Sequence, residues 1–147
     1  MIRIRNLMPA AAAMLALLGA GPAPAAPTCA EMAAQARQVT DIAAATALLR
    51  SADRACPPGA IQELKDIADA LGKLQFAAFL AAHDPAKREA HVRSAALHLD
   101  KERWQALAAL GEILQGRKDY VAAATQYQLA LVHLQVNPDV APPREAV

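Results

Sequence analysis

The chain has 147 residues, of which 55% are hydrophobic, only 3% are aromatic and 20% are charged, with a formal net charge of +1. This length allows a single domain, and the near-neutral charge with so few aromatic side chains excludes a typical nucleic-acid-binding surface. Alanine, the strongest helix former, is abundant, and no run alternates apolar with polar residues as a strand does. The sequence therefore predicts an all-α fold.

The first 25 residues have the three-part pattern of a secretory signal peptide. Arg3 and Arg5 precede an apolar run at residues 7–20, and small residues at 23–25 offer a cleavage site after about Ala25. A single membrane anchor is the alternative, but the run is shorter than the ~20 apolar residues that span a bilayer. We therefore expect a periplasmic or secreted protein without membrane insertion after cleavage. It would carry 13 basic and 14 acidic side chains, a net charge of −1.

The first helical hairpin is predicted at about residues 29–56. Apolar residues recur at steps of three and four on both sides of Thr40 and Asp41, either of which can cap the second helix. Cys29 and Cys56, the only cysteines, lie at the two ends that a bend near Thr40 brings together. In an exported protein this predicts a disulfide bond between them, with two separate buried thiols as the alternative.

Two further hairpins are predicted at about residues 60–99 and 101–137. A Pro-Pro-Gly sequence breaks the chain before them, since two prolines cannot continue a helix. Asp84 and Pro85 supply a cap and a first helical residue for a new helix, and Asp100 is expected to cap the next one. The predicted organisation is a signal peptide at 1–25, a helical domain at 26–138 and a disordered tail at 139–147.

The clearest pattern lies at residues 104–138. Small and large apolar side chains fall at steps of three and four in two runs, separated by a polar turn at which Gly116 is expected to end the first helix. They are Leu107, Leu110, Gly111 and Leu114 in the first run and Tyr120, Ala123, Tyr127 and Ala130 in the second. The order, large-x2-Leu-Gly-x2-large and then Asp-Tyr-x2-Ala-x3-aromatic-x2-Ala before Pro, resembles a tetratricopeptide repeat. The resemblance implies helical hairpins stacked as a short right-handed solenoid of about six helices.

The same resemblance implies that the first helix of each hairpin lines a concave face that holds a protein or peptide partner. Its residues would be Leu71, Leu74, Gln75 and Ala78 of one helix and Gln105, Ala108, Ala109, Glu112 and Gln115 of the next. A shallow apolar groove of this kind suits an amphipathic helix or an extended apolar segment. The alternative for Leu71 and Leu74 is that they fill the core.

Neither catalytic nor metal-binding motifs are evident in the sequence. His91 and His98 share a helix face but lie about 10 Å apart along the axis, whereas two ligands of one ion need one-turn spacing. We therefore expect no enzyme activity, no metal and no cofactor, but a scaffold or adaptor that binds a protein partner. Two alternatives stay open: a disulfide-stapled bundle acting as a small ligand carrier or enzyme through His91 or His98, and a structural subunit of an envelope complex. The partner and the oligomeric state are open as well.

Overall fold

A computed structural model describes residues 21–140, which fold into six α-helices and a final 3₁₀ turn. The helices are α1 (Cys29–Ala36), α2 (Ile42–Ala55), α3 (Ile61–Ala81), α4 (Pro85–His98), α5 (Arg103–Gly116) and α6 (Tyr120–Val136), and the turn is Pro138–Val140. No strand occurs in this part of the chain, so the predicted all-α fold with about six helices is confirmed.

The predicted signal peptide and tail lie mostly outside the described residues. Of residues 1–25, only the last five are described, and these are exposed and form no regular structure. The tail from residue 141 onwards also lies outside. Asp139 and Val140, predicted to be disordered, belong to the 3₁₀ turn, in which Val140 N–H donates to the carbonyl of Asn137.

Helix starts follow the local sequence at most positions. Thr28 and Glu31 form a reciprocal capping box at α1, Asp41 accepts from a backbone N–H of α2, and Asp84 does the same for α4 ahead of Pro85. The expectation for Asp100 was wrong. The helix α5 begins three residues later, at Arg103, and the backbone N–H of Asp100 instead donates to Asp69 of α3 at 2.9 Å.

The first hairpin is closed by the predicted disulfide bond. Cys29 at the start of α1 and Cys56 just after α2 are bonded, with their Cα atoms 5.6 Å apart. The prediction of this bond is confirmed. The hairpin packs on α3 through a first core cluster, to which both of its helices contribute. The buried members of this cluster are Met32, Ala33, Ala36, Ala52 and Ile67.

Antiparallel packing joins α3 to α4. Gln75 of α3 hydrogen-bonds His91 of α4 at 2.7 Å, and about one turn nearer the start of α3 the backbone of Leu99, just after α4, approaches Gly72. A Cβ at Gly72 would lie 2.6 Å from the backbone nitrogen of Leu99, closer than a carbon and a nitrogen can pack. Only glycine therefore allows the end of α4 to lie this close to α3.

The third hairpin is made by α5 and α6. Gly111 lies against the ring of Tyr127, whose hydroxyl donates to Gln115 at 3.0 Å. Gly116 ends α5 as expected, because it is the last residue of the helix. The left-handed residue of the turn that follows is Lys118, with φ of 64°.

A second core cluster holds the last four helices together. Its buried members are Phe79, Val92, Ala95, Leu99, Ala106, Leu110, Leu114 and Ala123. The helix α5 packs against both α4 and α6. The first cluster is formed by α1, α2 and α3, and the second by α3 to α6. A groove lined by residues of α4, α5 and α6 lies beside the second cluster.

Candidate partner-binding groove

A groove of about 620 Å³ lies between α4 and α6, with α5 contributing Leu107 and Leu110 to its lining. These two leucines are buried, whereas Leu97 of α4 is 75% exposed and Leu129 of α6 is 48% exposed. The lining residues are Arg93, Ala96, Leu97, Arg103, Leu107, Leu110, Gln126, Leu129, Val132, His133, Val136 and Asn137. The volume is within the range of about 300–1,000 Å³ typical of ligand sites. We name this feature the α4–α6 groove.

One wall of the α4–α6 groove is a helix without charge. The 17 residues of α6 include no Asp, Glu, Lys or Arg. Its outer side nevertheless carries exposed Val121, Leu131, Val132 and Val136. The exposed polar residues of the same helix, Thr125, Gln128 and Gln135, are uncharged. A contiguous exposed apolar patch is typical of an interaction surface, so the outer side of α6 is a candidate for one.

The charges at the groove are all of one sign. Arg93 and Arg103 line it, and no aspartate or glutamate among residues 21–140 does. Arg103 donates from Nε to the carbonyl of Leu99 at 2.7 Å and from a terminal nitrogen to that of Leu97 at 3.3 Å. It makes no ion pair within the described residues, so the groove has an uncompensated positive charge.

Arg93 has a partner, but shares it. Its guanidinium donates to one carboxylate oxygen of Glu89 at 2.7 and 2.9 Å, while Arg117 contacts the other oxygen of the same carboxylate. Two guanidinium groups thus face one carboxylate. The local excess is again one positive charge.

His133 of α6 also lines the α4–α6 groove, and one of its ring nitrogens has no hydrogen-bond partner in the described residues. Its Nδ1 is buried and has no hydrogen-bond partner in the described part of the chain, although the ring lines the groove. A buried polar atom without a partner costs roughly 1–3 kcal/mol. No sequence motif pointed to this histidine, because a single His in an apolar helix usually has a structural role.

None of the residues predicted to form a concave face lines the α4–α6 groove, and their surroundings differ. Leu71 is 2% exposed and therefore belongs to the core. Leu74 lines a cavity between α1 and α3, and Gln105 lines a different cavity of about 230 Å³ between α3 and α5. Gln75 is hydrogen-bonded to His91, and Ala109 packs against the second core cluster. The other four are partly buried or exposed: Ala78, Ala108, Glu112 and Gln115.

The cavity beside Leu74 is lined by charged as well as apolar side chains. Asp69 and Lys73 form an ion pair there at 2.8 Å, and Arg37 of the first hairpin pairs with Asp66 at 3.1 Å. The Asp69 carboxylate accepts a hydrogen bond from Lys73 and raises the pKa of that amine. Because its charges are already paired, this cavity offers a partner little attraction.

The residues predicted to pack the third hairpin are mostly buried. Leu107, Leu110, Gly111, Leu114, Ala123 and Ala130 are buried, and Tyr127 is partly buried. Tyr120 differs, with 63% of its surface exposed. As the first residue of α6 it lies at the turn, where α5 has already ended and offers nothing to cover the ring.

His91 and His98 have local hydrogen-bond partners. Nδ1 of His91 bonds Gln75, and Nδ1 of His98 bonds the carbonyl of Ser94 at 2.8 Å. Neither ring lines the α4–α6 groove. Across residues 21–140, no three His, Cys, Asp or Glu side chains cluster as metal ligands would.

In comparisons with known proteins, no family model, curated protein or solved structure matches this chain. Within residues 21–140, none of the helices has the length and apolar character needed to cross a membrane.

Proposed function

We propose that this protein is an exported helical scaffold that binds another protein, which lays an amphipathic helix in the α4–α6 groove. The observation that carries the proposal is the exposed, charge-free wall formed by α6. Burying the exposed parts of Leu129, Val132 and Val136 would contribute about 1 kcal/mol each. A helix is the favoured occupant because apolar grooves between helices bind the apolar face of a further helix.

Export and repeat architecture belong to the same proposal. The disulfide between Cys29 and Cys56 supports an oxidising compartment, the periplasm or the outside of the cell. The three hairpins, packed in chain order, are compatible with a tetratricopeptide-like stack in which α6 is the last helix. In such a stack the terminal helix needs a polar outer face or a covering partner. The exposed side of α6 has no charged residue and includes Val121, Leu131, Val132 and Val136, which favours a covering partner.

The proposed role is binding without catalysis. The partner is proposed to cover α6, and not the cavity between α3 and α5. The cavity between α3 and α5 is less than half the volume of the α4–α6 groove. A small apolar ligand is the second candidate, because the groove has a volume suited to one. A native mass spectrum of the purified protein distinguishes the two: a bound small molecule favours the carrier, and a bound polypeptide favours the scaffold.

The proposal is tested by photo-crosslinking in the native host. A photoreactive residue at Val132 should form an adduct with one polypeptide, and the crosslinked segment of that polypeptide should be helical. Leu129→Glu in the same chain should abolish the adduct. A photoreactive residue at Ala43, exposed on α2, is the matched control and should not capture that polypeptide. The same adduct from both positions, or an adduct unaffected by Leu129→Glu, would refute docking in the groove.

A further inference from the structure

The α4–α6 groove combines an apolar interior with positive charge. Its interior is formed by leucines and valines from three helices, which fixes no direction or register for a bound helix. The arginines lie on α4 and at the start of α5. Charge in this position can select among apolar partners, because electrostatic complementarity determines specificity more than affinity.

Arg103 has unused donor capacity. A guanidinium has five N–H donors, and the two hydrogen bonds to the carbonyls of Leu99 and Leu97 hold its plane in place. Three donors are therefore left without a described partner, on a side chain whose position is already fixed. A carboxylate that reaches it meets a rigid, bidentate donor rather than a mobile one.

We propose that the helix bound in the α4–α6 groove is acidic along one edge, so that its carboxylates pair with Arg103 and Arg93. This inference rests on the proposed function and names the chemistry of the partner. The absence of any described acidic residue from the groove lining favours an anionic partner, since a basic helix would bring like charges together. A second copy of this chain fits less well, because α6 has no carboxylate to offer.

The test uses three fluorescent helical peptides, each about 18 residues long, with the same leucine stripe. Their flanking positions carry Glu, Gln or Lys. Against the purified, oxidised protein at low salt, the Glu peptide should bind about tenfold more tightly than the Lys peptide, because each partly exposed ion pair contributes up to about fivefold. At high salt the difference should shrink to about twofold or less, since the charges are screened.

Two variants locate the effect. Arg93→Gln should weaken binding of the Glu peptide about threefold to fivefold and leave the Gln peptide unchanged. Arg103→Gln should do the same, but it also removes hydrogen bonds to two carbonyls, so its folding is checked by circular dichroism. Arg50→Gln is the matched control: it removes the same charge from exposed α2 and should leave all three affinities unchanged.

The outcomes separate this inference from the proposed function. Equal affinities for the Glu and Lys peptides, both lost in Leu129→Glu, would overturn the acidic partner while leaving the groove as a docking site. Failure of all three peptides to bind, with a stable dimer that Leu129→Glu dissociates, would show that a second copy fills the groove and would overturn the inference as well. Tight binding that Leu129→Glu does not alter would overturn both.

Discussion

Replacing Gly72 with alanine tests how closely α3 and α4 approach each other. The added methyl group would lie 2.6 Å from the backbone nitrogen of Leu99 and 3.0 Å from the carbonyl carbon of His98. Both are main-chain atoms at the end of α4, so neither can move aside by changing a side-chain rotamer. The substitution therefore has to push the two helices apart.

Two opposing effects determine the size of the change. Alanine in a helix interior is favoured over glycine by about 1 kcal/mol. Overpacking of a close contact typically costs 1–3 kcal/mol, and a clash with the main chain belongs at the upper end of that range. We therefore expect Gly72→Ala to lower the free energy of unfolding by about 1–2 kcal/mol.

Urea unfolding followed by far-UV circular dichroism, with the disulfide intact, measures this difference. Gly116→Ala is the matched control, because a Cβ at that helical position meets no atom within 4 Å and alanine should raise stability by about 0.5 kcal/mol. If Gly72→Ala were as stable as the parent protein while Gly116→Ala behaved as expected, the close approach of α3 and α4 would be refuted.

Three further predictions concern stability. Replacing Cys29 and Cys56 with serine should lower the free energy of unfolding in urea by about 3.5 kcal/mol, the loop-entropy value for a separation of 27 residues; an unchanged midpoint would contradict this. Lys118→Gly should raise the free energy of unfolding by about 0.5–1 kcal/mol, because glycine adopts the left-handed conformation of this residue without strain. A lower free energy of unfolding in the same urea titration would contradict this explanation. Hydrogen bonds from Thr28 lower the pKa of Glu31, so the stability they supply is present above pH 4.5 and lost as the pH falls through the lower folded value. Glu31→Gln should therefore reduce the fall in melting temperature on acidification, and parallel curves for the two proteins would exclude this contribution.

Features that depend on neighbouring residues could be predicted from the sequence. Asp84 was predictable as a cap, and Asp41 as one of two candidates beside Thr40, because an N-cap side chain bonds a backbone N–H only three residues away. The disulfide between Cys29 and Cys56 was found because one bend in a short helical pair brings its ends together. Asp100 was misplaced because its backbone contacts Asp69, far away in the sequence.

The position of the groove was beyond a sequence argument, and α6 shows why. Its apolar side chains occur all round the helix, so no charged face indicates which side is exposed. The tertiary structure turns the small side chains of Ala123 and Ala130 inward, where α5 packs, and leaves Leu129 and Val132 outside. The sequence by itself determined that helices form and where one pair is crosslinked, because those features depend on residues close in the chain or on cysteine chemistry. Only packing decided which face of α6 was left exposed, because small residues permit a close helix contact that the larger leucine and valine would prevent.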